Sequence, residues 1–269
     1  MNAPSSLIPE DTIDMEPRTV SAGHGWSWLT EGFSLFRRSP GVWLALILIL
    51  FAATNVLRVV PILGVVFVLL MPVFIVGLME GCRALERGEP LQIAHLAQGF
   101  RRHAAQLVTL GGISLVGNLV VMMIMFEVGG DAMSTIAKGI SQGAGATPPP
   151  AEINAALPAV ARAMFIGSLL SLPLLMALWY SPLLVHFHDA PTLEALKSSL
   201  MACVKNALPL LVYGGVIFVA LYIAMRIVMP FGRFDLALWL LAPVVLPSLY
   251  ASYKDIYLAG ITREPAPSE

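Results

Sequence analysis

Charged residues are scarce in this sequence. Asp, Glu, Lys and Arg make up 12% of its 269 residues, about half the share found in an ordinary soluble domain. Hydrophobic residues reach 57%, and they are gathered into long runs separated by short charged segments. A soluble domain could not bury this much apolar surface, so the composition excludes a soluble enzyme or binding domain. The net charge of −1 gives no electrostatic reason to expect a nucleic acid as partner.

Cysteine is scarce as well, and several common cofactor motifs are missing. Cys82 and Cys203 are the two cysteines, and their wide separation suits neither a disulfide framework nor a zinc motif. The sequence also lacks a phosphate-binding Walker loop, a dinucleotide-binding glycine fingerprint and an H-E-x-x-H zinc motif. We therefore expect no cofactor, no metal and no catalytic residues, and we predict that the protein is not an enzyme.

Six long apolar runs dominate the chain. A helix needs roughly 20 residues to cross a bilayer core about 30 Å thick, and each run has about this length. The runs cover about residues 42–60, 62–81, 104–126, 163–185, 207–228 and 236–253. We therefore predict an all-α integral membrane protein with six transmembrane helices.

Polar segments lie at both ends of the chain and in its middle. Residues 1–20 lack the basic and apolar regions of a signal peptide, so we expect a disordered cytoplasmic tail and an uncleaved first span. Residues 261–269 are expected to form a second cytoplasmic tail, and residues 21–260 the six-span membrane domain. The outer loop, residues 127–162, contains a Thr-Pro-Pro-Pro break between two short amphipathic pieces. This composition predicts a flexible, variable insertion.

Basic residues are distributed unequally between the two sides of the predicted topology. Eleven of the 16 Lys and Arg residues lie on the side that carries both termini. These are Arg18, Arg37, Arg38, Arg83, Arg87, Arg101, Arg102, Lys197, Lys205, Lys254 and Arg263. The positive-inside rule places such a side in the cytoplasm. We therefore predict a multi-pass protein of the bacterial inner membrane with both termini cytoplasmic.

Three short segments on the cytoplasmic side have the apolar spacing of amphipathic helices. The first, "WSWLTEGFSLF", is predicted to place Trp28, Leu29, Phe33 and Phe36 on one face. The segments "LQIAHLAQGFRRH" and "TLEALKSSLMACVKN" follow the same pattern before the third and fifth spans. Each segment is too short and too polar to cross a bilayer, so we expect helices that lie in the headgroup plane. The alternative is that they pack on the helical bundle.

The same arrangement recurs along the chain: an amphipathic helix, a span, and a second span with an internal proline. Pro72, Pro173 and Pro243 interrupt the second, fourth and sixth spans. The pairs Gly111-Gly112 and Gly214-Gly215 occupy matching points of the third and fifth spans. Glycine pairs permit close approach of helices in membranes. The pattern predicts three related hairpin-like units.

Several of these stretches resemble a known family. "GWSWLTEGFSLFRRSPGVW", "YSPLLVHFHDAP" and "LPSLYASYKDIYLAG" are similar to segments of uncharacterised betaproteobacterial six-span inner-membrane proteins. The layout also resembles the membrane domain that precedes some bacterial glycerophosphodiester phosphodiesterases, although the catalytic barrel of those enzymes has no counterpart in this sequence. The resemblance implies a multi-pass membrane protein, and it carries no functional residues across to this chain.

The stretch "HFHDAP" raises the question of a metal site. His186 and His188 are two residues apart, so on a helix their side chains point to nearly opposite sides. A helical zinc pair has an i, i+4 spacing instead. Histidines near a helix C-terminus interact favourably with the helix dipole. We therefore predict a helix end in contact with headgroups, with a metal site as the alternative. Glu80 and Arg83 are predicted to form a pair at the membrane interface, with an ion relay as the alternative.

Basic residues near the ends of the three short helices are the best candidates for a binding function. Anionic phospholipid of the inner leaflet attracts such residues, so we predict lipid contacts. The candidates are Arg37, Arg38, Arg101, Arg102 and Lys205. This pattern favours a non-enzymatic role in membrane or envelope organisation, through lipid or through a protein partner that the sequence does not identify. The alternative is a small transporter or channel component, with a pathway lined by the proline-kinked even-numbered spans.

Overall fold

The computed structural model describes residues 16–59, 61–141, 150–229 and 235–259, which form helices and short connections without a strand. The long helices are α2 (Pro40–Val59), α3 (Pro61–Glu86), α4 (Ala104–Ser141), α5 (Pro150–Trp179), α8 (Ala207–Val228) and α9 (Asp235–Tyr253). The short elements are α1 (His24–Arg38), a 3₁₀ helix (Ile93–Phe100), α6 (Ser181–Phe187), α7 (Thr192–Lys205) and a π-helical turn (Lys254–Leu258). The predicted all-α membrane fold is confirmed. Most of the predicted tails, residues 1–15 and 261–269, lies outside the described residues.

Five helical segments in the described ranges are long and apolar enough to span a membrane, and one bent pair brings the number to six. The five are Ile62–Glu86, Ala104–Ser134, Asn154–Phe187, Ala207–Val228 and Asp235–Leu258. The bent pair joins α1 to the run predicted as the first span, at an angle of 101°. Ser39 has φ −152° and ψ 61° at this bend, because the following Pro40 disfavours helical backbone in the residue before it.

The segment predicted as an outer loop, residues 127–162, is largely helical over its described part. α4 continues to Ser141, and α5 already begins at Pro150. At about 1.5 Å per residue, the part of α4 before Gly130 is already longer than a bilayer core about 30 Å thick. Gly130, with φ 52°, kinks α4 where it leaves the apolar run. The amphipathic pieces are therefore helical over their described parts. The proline-rich centre at 142–149 lies outside the described residues.

The consecutive pairs α2–α3, α4–α5 and α8–α9 pack together as the predicted hairpin-like units. Each short helix lies beside the second span of a unit: the 3₁₀ helix on α3, α7 on α5 and α1 on α9. Because α1 comes from the beginning of the chain and α9 from its end, this last contact closes the three units into a ring. We call the end of the bundle that carries these short helices the polar end.

Small residues make the contacts between the short helices and the spans. A Cβ atom added to Gly25 would lie 2.2 Å from the carbonyl oxygen of Pro209, and one added to Gly32 would lie 2.6 Å from the Ser248 nitrogen. Gly99 of the 3₁₀ helix approaches the Val73 carbonyl in the same way. On α7 the buried residues are Ala195, Ser199, Ala202 and Cys203. Such residues let helix backbones approach closely, so the short helices are packed on the bundle.

This packing corrects the predicted face of α1. Gly25, Trp28, Gly32 and Leu35 are its buried residues, whereas Phe33, predicted to share the face of Trp28, is 47% exposed. Trp28, Leu29 and Phe36 do share the face that packs against the core, so the prediction was wrong for Phe33, and it gave no weight to the two glycines. Large apolar residues on the other two short helices are exposed as well. The exposed set is Trp26, Phe33, Ile93, Phe100, Leu193, Met201 and Val204.

Candidate functional site

Charged and hydroxyl side chains converge at the polar end, around the π-helical turn that follows α9. Lys254 forms ion pairs with Glu31 of α1 and with Glu86 at the end of α3. The hydroxyl of Tyr250 donates to Glu86 Oε2 at 3.0 Å. The ammonium group of Lys254 thus joins α1 and α3 to the π-helical turn. π-helical turns occur frequently at functional sites, which directs attention to this one.

Asp255, the next residue of the turn, fixes the segment that precedes α1. Its carboxylate accepts a hydrogen bond from Trp28 Nε1 at 2.9 Å, lies 2.6 Å from His24 Nδ1 and pairs with Arg18. The backbone nitrogen of Arg18 also donates to the Ile256 carbonyl at 3.1 Å. Sequence reasoning missed Lys254 and Asp255. The available signal was an adjacent pair of opposite charges directly after an apolar span.

His186 and His188 lie at the end of α6 as predicted, but the burial of His186 rules out the predicted contact of this side chain with headgroups. His186 is 5% exposed, and its Nε2 lies 2.9 Å from Glu80 Oε1 on α3. His188 Nε2 lies 2.7 Å from the hydroxyl of Tyr253 on α9, and burial lowers the pKa of this imidazole. The two rings contact different helices, so they act as separate links within the bundle.

Glu80 therefore has a closer partner than the one predicted. Its carboxylate lies 3.9 Å from Arg83 Nη1, against 2.9 Å from His186. The Arg83 guanidinium lies instead 5.3 Å from the ring centre of Phe187, in cation–π geometry. Within the described residues, no three His, Cys, Asp or Glu side chains are placed to hold a metal ion.

The five lipid-contact candidates do not form one cluster. Arg102 pairs with Asp189 at 2.7 Å, Lys205 pairs with Glu16 at 3.2 Å, and Arg38 donates to the Leu85 carbonyl at 3.0 Å. These three side chains are engaged by the protein itself. All five candidates are exposed, but no ion pair joins Arg37 or Arg101 to a carboxylate of the described residues, and the Arg37 guanidinium lies 5.9 Å from the ring centre of Phe33. Arg37 and Arg101 are thus better placed for an external anion.

A shallow cleft of about 330 Å³ lies on the outer face of α1. It is lined by Thr30, Phe33, Ser34, Arg37 and Arg38. Two hydroxyl groups and two guanidinium groups surround one exposed aromatic ring in this cleft. Hydroxyl and guanidinium groups donate to phosphate oxygens, and an aromatic ring suits the boundary between headgroups and acyl chains.

His103 and Asp189 hold the connections beside the 3₁₀ helix and α6. Their backbones have φ values of 56° and 55°, and they are the two non-glycine residues with positive φ in the described ranges. His103 Nε2 lies 2.6 Å from Asp189 Oδ1, so the two strained positions support each other. The Asp189 carboxylate also binds Arg102, which explains why this candidate is turned toward the protein.

These features define an integral membrane protein with a polar, aromatic-rich end and an apolar bundle. The chain is 30% identical over 267 residues to a probable inner membrane protein of Burkholderia thailandensis, covering 92% of this chain and 95% of that relative. The chain belongs to the family of this relative. No family model matches the chain, and no solved structure matches it.

Proposed function

We propose that this chain is a lipid-binding protein of the bacterial inner membrane, with a non-enzymatic role in membrane or envelope organisation. The observation that carries the proposal is the outward face of the three short helices. Small residues let them approach the bundle closely, and some of their large apolar side chains point away from it, such as Trp26 (57% exposed) and Leu193 (63% exposed). We call this outward face the collar.

Basic residues on the collar favour anionic lipid over neutral lipid. Arg37 and Arg101 are exposed beside the apolar residues Phe33 and Phe100. A basic residue near an anionic leaflet contributes about 1 kcal/mol to membrane attraction. Burial of an exposed aromatic ring in the interface adds an apolar contribution at roughly 25 cal/mol per Å². A collar of this composition suits the inner leaflet, which would place both termini in the cytoplasm.

Two observations support a non-enzymatic role. The relative carries no enzymatic name, being described as a probable inner membrane protein. One G-x-S-x-G run, residues 139–143, occurs in the sequence, but Ser141 is preceded by the helix α4 and not by the strand that a nucleophile elbow requires. The layout similar to the membrane domain of glycerophosphodiester phosphodiesterases is compatible with a lipid-related role for this chain.

A transporter component is the second candidate, because all three even-numbered spans line one cavity inside the bundle. The cavity measures about 530 Å³ and includes Pro72 of α3, Pro182 of α6 and Val245 of α9. Its lining contains no charged side chain among the described residues. Ion or proton pathways use ionisable groups at membrane depth, so this cavity favours an apolar solute.

The collar is tested by the double variant Arg37→Gln/Arg101→Gln in lipid nanodiscs containing phosphatidylglycerol and phosphatidylcholine. The variant should retain less phosphatidylglycerol in native mass spectrometry than the wild type, by about 30-fold in affinity if each charge contributes about 1 kcal/mol. The matched control is Arg162→Gln/Arg226→Gln, which removes the same charge toward the opposite ends of α5 and α8. Equal retention by the two variants would make a protein partner the better explanation of the collar.

A further inference from the structure

The cavity inside the bundle is built by helices from all three units. On each of α3, α4 and α5 it extends over about eight residues, as from Leu110 to Asn118. At about 1.5 Å of rise per residue, this gives a length of roughly 12 Å along the bundle. Its volume of about 530 Å³ lies within the range of small-molecule sites, about 300–1,000 Å³. The space is therefore large enough for a ligand.

Two prolines lie in the lining of the cavity. Pro72 and Pro182 line it, and so do Val68 and Leu178, the residues four positions before them. A proline has no N–H for the carbonyl four residues earlier, so it weakens the helix at that turn. On the fourth span the helix is broken at this point, since α5 ends at Trp179 and α6 begins at Ser181.

The lining offers little to water. Its polar side chains are Ser114, Asn118, Ser171 and Tyr213, besides the indole of Trp179. The Tyr213 hydroxyl already bonds to Ser248 Oγ at 2.7 Å, and the Asn118 amide nitrogen donates to the Ser114 carbonyl at 2.8 Å. A buried water needs two to four polar partners, whereas apolar cavities stay dry or take apolar ligands. The chemistry of the lining thus selects an apolar occupant.

The cavity opens toward the membrane. The exposed members of its lining are Val68 (39%), Leu175 (52%) and Asn118, which belong to α3, α5 and α4. The opening therefore lies on the side formed by these three helices, within their apolar runs. Toward the polar end the lining reaches Pro182 of α6, which is buried, as is the preceding Tyr180, whose hydroxyl donates to Ser252 Oγ at 3.1 Å. An occupant thus enters sideways from the hydrocarbon core of the bilayer.

We infer that this cavity binds one acyl chain of a membrane phospholipid, inserted laterally from the bilayer. Part of one acyl chain fits the uncharged space, and the bilayer supplies such chains directly at its opening. Binding uses packing against leucine, phenylalanine and proline side chains and requires no headgroup charge. The site is separate from the collar, so the inference depends on membrane insertion and not on the attraction of Arg37 and Arg101 for anionic lipid.

The test uses the full chain in nanodiscs with a phosphatidylcholine that carries a photoactivatable diazirine on one acyl chain. Illumination should label peptides that contain cavity residues, with a maximum around Leu174 and Leu175. The variant Ser171→Phe fills the cavity and should lose this labelling. The control Ser168→Phe makes the same change on the exposed side of α5, outside the lining, and should keep it.

A second filling variant, Ser114→Leu on α4, guards against misfolding of the first. Both filling variants should keep the wild-type thermal midpoint within a few degrees while losing the label. Labelling spread evenly over lipid-facing residues such as Phe218, or labelling unchanged by both folded variants, would overturn the inference. The variant Arg37→Gln/Arg101→Gln should label like the wild type, so failure of the collar and failure of the cavity site give different results.

Discussion

Replacing Gly111 with Ala should destabilise the bundle, whereas replacing Gly214 with Ala should not. The two glycines occupy matching points of the third and fifth spans, but their surroundings differ. A Cβ atom on Gly111 would lie 2.2 Å from the carbonyl oxygen of Leu69 on α3, so the backbones would have to move apart. A Cβ atom on Gly214 would meet no atom within 4 Å. The pair therefore compares the same substitution with and without a helix contact.

The expected magnitude follows from the difference between the two sites. Alanine favours a helix interior over glycine by roughly 0.5–1 kcal/mol, and both variants gain this contribution. Only Gly111→Ala adds overpacking, which typically costs about 1–3 kcal/mol. At about 2–4 °C per kcal/mol, the unfolding midpoint of Gly111→Ala should lie roughly 2–12 °C below that of Gly214→Ala.

The chain contains its own reporter for this measurement. Cys82 and Cys203 are free and buried, with 0% and 2% exposure, and burial raises the pKa of the Cys203 thiol to about 12. Both thiols are therefore protected in the folded protein. A fluorogenic thiol dye added during heating in detergent reports their exposure on unfolding. Equal midpoints for the two alanine variants would refute the close contact between α3 and α4.

Three further changes test the polar end. His186→Phe should lower the midpoint reported by the thiol dye more than Glu80→Gln, because it removes the closest hydrogen-bond partner of the half-buried Glu80 carboxylate, at about 1 kcal/mol; equal losses would contradict the pairing. Burial lowers the pKa of His188 below its ordinary 6.5, so at a pH between the two values the unfolded chain binds a proton that the folded protein does not. The stability of the folded protein should therefore fall as the pH falls below 6.5. His188→Gln should reduce that fall, and an unchanged pH profile would contradict the assignment. Asp255→Asn should speed tryptic cleavage after Arg18, and an unchanged rate would show that this carboxylate does not hold the segment.

The membrane fold could be predicted because its signal is local. Runs of about 20 apolar residues and an excess of basic residues on one side are visible in any window of the sequence. The bounds were less predictable, since α4 continues to Ser141 as an amphipathic helix beyond its apolar run. Hydropathy indicates which residues lie in the apolar core of the bilayer. The length of a helix also depends on its packing outside that core.

The buried face of α1 could not be predicted from its own sequence. Gly25 and Gly32 give no hydrophobic signal, and their value comes from the closeness of Pro209 and Ser248 on α8 and α9. Partners more than 180 residues away decide which face is buried. Consequently Phe33, which the apolar spacing placed on the same face as Trp28, is turned outward instead.

The partners of the histidines were invisible for the same reason. The spacing of His186 and His188 argued against a helical metal pair, but it could not reveal that Glu80 approaches one ring and Tyr253 the other. Neither pairing follows from composition, because each depends on how α6 packs between α3 and α9. The ion pairs of Lys254 with Glu31 and Glu86 could not be predicted either, because they depend on how α1 and α3 pack beside the π-helical turn.

The depth of Trp26 in the bilayer tests the collar most directly. Trp28 and Trp43 are buried at 1% and 0% exposure, whereas Trp26 is 57% exposed on the outward face of α1. The fluorescence difference between the wild type and Trp26→Phe isolates this residue in vesicles that contain brominated phospholipid. If the collar lies in the interface, bromine on the acyl carbons nearest the headgroup should quench this difference strongly, and bromine deeper in the chain should quench it less. A difference signal that no brominated lipid quenches would contradict this placement, because the collar would then face water or a protein partner.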